Sequence, residues 1–207
     1  MDKGATETTN ARDLVMGKKM KDDKVLVCLS GGLDSAVLAH MAGDRLGLCI
    51  FFDYGQQALH QERAASKAIA DNLGVRWAEV LILLLSLKKM NVKPGKGARV
   101  VPARNLNMLA KATMFAQAHG LKEVWFGATA DDFDDYEDCR PGFFAGLNRC
   151  TGDVSIVAPL IGKTATQIVK MASRYGADLG KTWSCYAPQK NNLPCGVCNS
   201  CLRRINA

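Results

Sequence analysis

Val25-Leu-Val-Cys-Leu29, then Ser30-Gly31-Gly32-Leu33-Asp34-Ser35, then a helically spaced stretch to about Arg45: this run decides the fold. The first five residues read as a strand buried on both faces. Two glycines turn the chain, and a helix is predicted over Ser35 to Arg45. Strand, Gly-rich turn and helix in that order create a ligand site at the carboxyl end of a parallel strand. Paired glycines let backbone N–H groups approach an anion, the helix N-terminus adds partial positive charge, and Ser30 and Ser35 offer hydroxyl donors to phosphate oxygens. The lysine of GxxxxGK[ST] is absent, so this phosphate loop is not a Walker A motif.

The same alternation continues outward. Leu48-Cys-Ile-Phe-Phe52 is a second predicted strand, and Leu59 to Leu73 a helix closed by Gly74. A third strand falls within Arg76 to Leu85. After a Gly/Pro/Lys-rich loop, Lys88 to Ala98, a helix is predicted over Asn105 to His119 with Gly120 as its stop, and Glu123-Val-Trp-Phe126 as a fourth strand. Ser155 to Ala158 adds a fifth, and Thr164 to Tyr175 another helix. Strands alternating with helices predict an α/β fold with a mostly parallel, Rossmann-like sheet. At 207 residues and 22.4 kDa the chain suits one domain with a small appendage. The expected division is a polar tail over 1–22, the α/β domain over 23–182 and a C-terminal segment over 183–207.

No stretch of Met1 to Lys24 is apolar enough for a signal peptide. The most apolar run, Val80 to Leu87, is far shorter than the roughly 20 residues of a membrane-spanning helix. A cytoplasmic protein without a membrane partner is expected, where clustered thiols more often bind metal than form disulfides. Of eight cysteines, four (Cys185, Cys195, Cys198 and Cys201) fall in the last 23 residues. The three in Cys195-Gly-Val-Cys198-Asn-Ser-Cys201 form two overlapping CxxC steps, whose two-residue spacer lets a tight turn present both sulfurs, eased by Gly196. Four thiolates close a tetrahedral zinc sphere and leave no open position, so a structural zinc is expected. An iron–sulfur cluster or buried thiols are the other readings. Cys28 and Cys49 fall in strands as small buried hydrophobes, and Cys150 has no evident partner.

The formal charge is +7, but its distribution is uneven. Asp131-Asp-Phe-Asp-Asp-Tyr-Glu-Asp138 carries six acids, leaving 27 bases against 14 acids elsewhere. Such a run is ordinarily a solvated loop. This one follows directly on Gly127, where the crevice beyond the fourth strand opens.

Ser30 to Ser35 resembles the SGGxDS loop of the N-type ATP pyrophosphatases, which adenylate a substrate with ATP and release pyrophosphate. With Val101-Pro102-Ala103-Arg104-Asn105, Asp53-Tyr54-Gly55-Gln56, the acidic run with Cys139-Arg140, Trp183-Ser-Cys185-Tyr186 and the cysteine set, the chain is similar to the 7-cyano-7-deazaguanine synthases of queuosine biosynthesis. The resemblance runs from about Val25 to Arg204. It implies ATP-dependent conversion of 7-carboxy-7-deazaguanine and ammonia to the nitrile through an acyl-adenylate and an amide, with zinc as a structural metal and Mg²⁺ accompanying ATP. ATP would be held by Ser30, Gly31, Gly32, Leu33, Asp34, Ser35, Asp53, Tyr54 and Gly127, with Asp34 also on the Mg²⁺–triphosphate. Arg104 and Lys163 are cations suited to charge developing on phosphate and carboxylate oxygens. A guanine-like edge offers two adjacent N–H donors that one carboxylate accepts. Asp132 and Asp138 are the candidates for that contact, Phe133 or Tyr136 for stacking, and Arg140 completes the expected substrate set. A homodimer is also implied, with no direct nucleic-acid partner.

The chain departs from the family pattern around this site. Where the family reads YxQRH, this chain has Tyr54-Gly-Gln56-Gln57-Ala58, with His60 two positions later. Asp134-Asp-Tyr-Glu137 replaces Ser-Gly-Tyr-Pro, and Lys163-Thr-Ala165 replaces Lys-x-Glu. Three other readings stand beside the nitrile: an enzyme stopping at 7-amido-7-deazaguanine, a tRNA-thiolating enzyme using Cys139, and a zinc-knuckle nucleic-acid-binding protein.

Overall fold

The computed structural model describes residues 23–82, 101–134 and 136–207. The tail 1–22, the loop Lys88 to Ala98, Asp135 and the end of the Val80 to Leu87 run lie outside the described residues. Strands β1 (Val25–Cys28), β2 (Leu46–Asp53), β3 (Arg76–Leu81), β4 (Glu123–Trp125) and β5 (Ser155–Val157) form one parallel sheet in the order β3-β2-β1-β4-β5. Helices are α1 (Leu33–Ala42), α2 (Leu59–Asn72), α3 (Arg104–His119), α4 (Pro141–Leu147), α5 (Ala165–Tyr175) and α6 (Asn199–Asn206). The α/β class and parallel sheet are as the sequence predicts, with ends displaced by a few residues at most.

Two helices lie where no element was predicted. In α4, Pro141 opens the first turn, where its missing N–H costs nothing. Two glycines in seven residues leave that segment no readable period. Helix α6 begins inside the second CxxC step, with Cys198 as its N-cap and Cys201 in its first turn. The cysteine spacing reads as a turn and conceals the helix that carries the last cysteine.

Alternation along the buried strands feeds two cores. Leu26 and Cys28 pack with Leu109 and Ala112 of α3, while Val25, Val27 and Leu29 pack with Val37 and Leu38 of α1 and Ile168 of α5. Burying each such aliphatic side chain stabilises the fold by roughly 1.5–3 kcal/mol. Helix α1 is apolar nearly all round because it lies between the sheet and α5. Cys28 and Cys49 are buried strand residues, and burial pushes both thiols up, Cys49 to about 12.

Strand β1 sits in the middle, with β2 on one side and β4 on the other. The direction of strand succession reverses between β1 and β4, so the crevice opens beyond their carboxyl ends. No helix among the described residues is long and apolar enough to cross a membrane.

Candidate functional site

A cavity of about 1060 Å³ occupies that crevice. Its floor is the phosphate loop. Gly31 has φ +83°, and a Cβ there would lie 2.5 Å from the Glu62 carbonyl oxygen and 2.8 Å from the Ser66 backbone nitrogen, so the loop and α2 meet backbone to backbone. Only glycine satisfies both conditions. The Ser35 hydroxyl donates to the Gly32 carbonyl at 3.0 Å, and Ser30 Oγ lies 3.0 Å from Ser35 Oγ and accepts from the Gly32 N–H at 3.3 Å. No side chain caps α1 at Gly32, so the helix presents its N-terminal dipole to the cavity. Gly127, after β4, packs against this turn; a Cβ there would stand 3.6 Å from Ser35 N.

Burial, with Asp132 and Asp131 nearby, raises the Asp34 carboxyl to about 7, and Arg203 opposes the shift. Asp132 accepts from Thr129 N–H and hydroxyl through Oδ2, and its Oδ1 receives Arg203 Nη1 at 3.1 Å. Asp131 Oδ2 accepts the Ala165 N–H at the start of α5, at 2.7 Å. The acidic run therefore divides: two aspartates turn inward to cap backbone and hold an arginine, while Asp134 and Glu137 are exposed.

On the β2 side, Arg104 opens α3 behind Ala103, which takes left-handed backbone angles at φ 56°. Its guanidinium lies over the Tyr54 ring at 5.5 Å, and Nη1 donates to Tyr54 Oη at 3.4 Å. Asp138, Tyr136 and Tyr186 are also near enough to act on its charge.

The C-terminal segment forms the remaining wall. Trp183 N–H donates to the Gly31 carbonyl at 2.8 Å, joining it to the phosphate loop. Arg204 Nη1 donates to Thr182 Oγ1 at 2.7 Å, and Arg203 reaches Asp132. Between these ties the sulfurs of Cys185, Cys195, Cys198 and Cys201 all lie within 4.8 Å of one another, with Cys195 and Cys201 3.9 Å apart. Four sulfurs about 2.3 Å from one ion stand about 3.8 Å apart. A four-iron cube gives each thiolate its own iron and spreads the sulfurs further, so the set fits a single tetrahedral ion of the zinc type.

Ser30, Gly32, Leu33, Asp34, Ser35, Tyr54, Arg104, Gly127, Asp132 and Tyr136 thus converge on one cavity, with Gly31 beneath it. Five other predicted residues do not line it. Lys163 is exposed, and its backbone carbonyl accepts from Ala130. Asp53 pairs with Arg63 at 3.0 Å and accepts from Gly55 N–H. Arg140 is exposed and donates through Nε to the Phe133 carbonyl. Phe133 and Asp138 are half-buried beside the cavity rather than in its lining. His60 is exposed and lines a separate shallow groove with Lys181 and Asn192.

Three charged cavity residues, Arg203, Arg204 and Glu62, have no role in the sequence reading. Arg203 follows Cys201 by two positions, and basic residues directly after a CxxC step were its only signal. Glu62 carried none beyond its place in a helical period. Burial raises its carboxyl to about 7, against a hydrogen bond from Gln56 and the charge of Arg104.

Solved structures with this fold include a U34-tRNA thiolase from Methanococcus maripaludis, which holds a [4Fe-4S] cluster, and an NMN synthetase from Francisella tularensis. Their TM-scores are 0.57 and 0.54, each at 16% identity and over 86% of this chain, covering 67% and 71% of theirs. At that identity they establish the fold alone. Sequence relatives are nearer. The 7-cyano-7-deazaguanine synthase of Novosphingobium aromaticivorans is 38% identical over 86% of this chain and 87% of its own length. That of Koribacter versatilis is 33% identical over 89% and 88%. Residues 24–207, from the edge of β1 through the cysteine wall, match the family described as queuosine biosynthesis protein QueC. A match that takes in the phosphate loop, the acidic turn and all four cysteines leaves no part of the described site outside it, and the chain belongs to the QueC family.

Proposed function

We propose that the chain converts 7-carboxy-7-deazaguanine and ammonia to 7-cyano-7-deazaguanine, using ATP and releasing AMP and pyrophosphate. The observation that carries this reading is one cavity bounded by an uncapped phosphate loop, an arginine and a carboxylate-bearing turn. In it the loop N–H groups and both serine hydroxyls bind the triphosphate. Mg²⁺, when bound with ATP, neutralises triphosphate charge, and Asp34 is the carboxyl assigned to hold it. Arg104 faces charge developing where the substrate carboxylate attacks the α-phosphate. Ammonia from solution or a partner protein then gives the amide, and a second adenylation, on the amide oxygen, leads to the nitrile.

Asp132 and Asp138 are assigned to the guanine-like edge, with Tyr136 or Phe133 stacking and Arg140 bracketing the turn. The four cysteines hold structural zinc, and the enzyme is a cytoplasmic homodimer acting on small molecules. The thiolation reading would need Cys139 as a nucleophile. Burial, followed by Asp132 and Asp138, pushes that thiol to about 12, which keeps it protonated at neutral pH.

Incubation with ATP, Mg²⁺, ammonium and 7-carboxy-7-deazaguanine, read by mass spectrometry, is expected to yield the nitrile. Amide alone would mean that the enzyme stops after the first activation. Absence of AMP formation would overturn both.

A further inference from the structure

Ammonia enters this chemistry with three N–H bonds, and the nitrile retains none, so three protons must be accepted in the cavity. We infer that Glu62 is the proton acceptor of the nitrogen-transfer steps, an inference that rests on the proposed function. In the first step nitrogen bonds to the acyl carbon, the bond from that carbon to the AMP oxygen breaks, and one N–H proton leaves. After the amide oxygen has been adenylated, with pyrophosphate departing, the nitrogen loses its other two protons. The carbon–oxygen bond to AMP breaks as the triple bond forms. Glu62 takes these protons one at a time and returns each to solvent.

Among the described residues three side-chain carboxyls line the cavity: Asp34, Asp132 and Glu62. Asp132 has both oxygens engaged, by Thr129 and by Arg203. Asp34 belongs to the phosphate loop, whose task is the triphosphate. Glu62 uses only Oε2, which accepts from Gln56 Nε2 at 3.0 Å; Oε1 has no hydrogen bond among the described residues. Gln56 is itself fixed, donating to the Phe52 carbonyl and accepting from Tyr54 N–H, each at 3.0 Å. The turn of α2 that carries Glu62 abuts Gly31. The acceptor is thereby held beside the loop on a rigid element.

No histidine lines the cavity, and the positions following Gln56 are Gln57 and Ala58. The charged and titratable groups facing Glu62 are Arg104 of α3 and Tyr54 after β2. Burial is the largest influence and leaves the carboxyl near 7, suited to accepting protons at neutral pH. Because the ionised form accepts, its contribution grows as pH rises through that value.

The test compares Glu62→Gln and Glu62→Asp with the parent protein. Amide formation is followed at fixed free-ammonia concentration across pH 5.5–8.5, and pyrophosphate exchange into ATP is measured without ammonia. Adenylation of a carboxylate releases no proton. E62Q should therefore slow amide formation about 100-fold and flatten the limb near pH 7, while exchange falls less than about threefold. E62D should recover part of the rate. Asp34, the other carboxyl raised to about 7, would impose its pH dependence on exchange as well, which separates the two. Full amide formation by E62Q with an unchanged pH profile would overturn the inference. So would parallel loss of exchange and amide formation, which would give Glu62 a structural role. A parent protein that shows no exchange with 7-carboxy-7-deazaguanine would overturn the proposed function, and this inference with it.

Discussion

The two halves of the cavity are built by different physics. The phosphate loop stands on β1, whose four residues are all buried, and is braced by a close backbone contact with α2. The opposite wall, Trp183 to Ala207, has one short helix, and apart from Cys185 and Cys201 its residues are exposed or half-buried. It is joined to the rest by a few arginine contacts and one backbone hydrogen bond to Gly31, around a cluster of four cysteines. The first half is fixed by water exclusion, whereas the second rests on a cysteine cluster arranged to take a metal ion, so the same perturbation should not affect both.

The strongest way to break this comparison is Cys201→Ser. Losing a ligand should release the wall and cut turnover more than about 100-fold, while far-UV circular dichroism keeps most of its signal because the sheet does not depend on the ion. Global unfolding on metal loss would mean that the halves are one cooperative unit. Gly31→Ala probes the other half. Left-handed backbone and a Cβ 2.5 Å from the Glu62 carbonyl should together cost about 2 kcal/mol or more. The melting temperature should fall by about 4–8 °C, with metal content retained.

Arg203→Ala sharpens the boundary between the halves. Arg203 and Asp132 side chains are 27% and 16% exposed, so the loss should lie nearer about 1–2 kcal/mol than the figure for a fully buried pair. A double-mutant cycle with Asp132→Asn measures it. Smallest and opposite in sign is Ala103→Gly. Relief of left-handed strain, roughly 1–2 kcal/mol, exceeds the extra chain entropy of glycine, about 0.4–1 kcal/mol. Melting should rise by about 1–2 °C, unless the strain is needed to aim Arg104, in which case turnover falls as stability rises.

The first half was legible in the sequence because its determinants are local. Apolar runs such as Val25 to Leu29, the spacing in Leu59 to Leu73 and the glycines of the phosphate loop state their own conformations. The four cysteines were legible for the same reason, since ligand spacing is a short-range property. The role of Asp131 was not, because its partner, the Ala165 N–H, lies 34 residues away. Arg203 was hidden because α6 forms only where the wall docks; an eight-residue helix is marginal alone. Glu62 looked like any polar helix residue, and only the approach of Gly31 to α2 decides which turn lies beside the loop. The charge of Lys163 is legible in the sequence, whereas its exposure depends on the turn at Leu160 to Lys163 that carries it.

The hydrogen bond from Trp183 to Gly31 has a spectroscopic consequence. The chain has three tryptophans; Trp77 and Trp125 sit in strands, and only Trp183 lines the cavity. Its indole N–H donates to the Cys185 carbonyl at 2.8 Å while its backbone N–H holds Gly31, so one residue joins the phosphate loop to the first cysteine of the cluster. Emission from Trp183, read in a protein whose other two tryptophans are replaced by phenylalanine, should change when either nucleotide or chelator is added. The molecule thus carries its own optical gauge of whether its two unlike halves are joined.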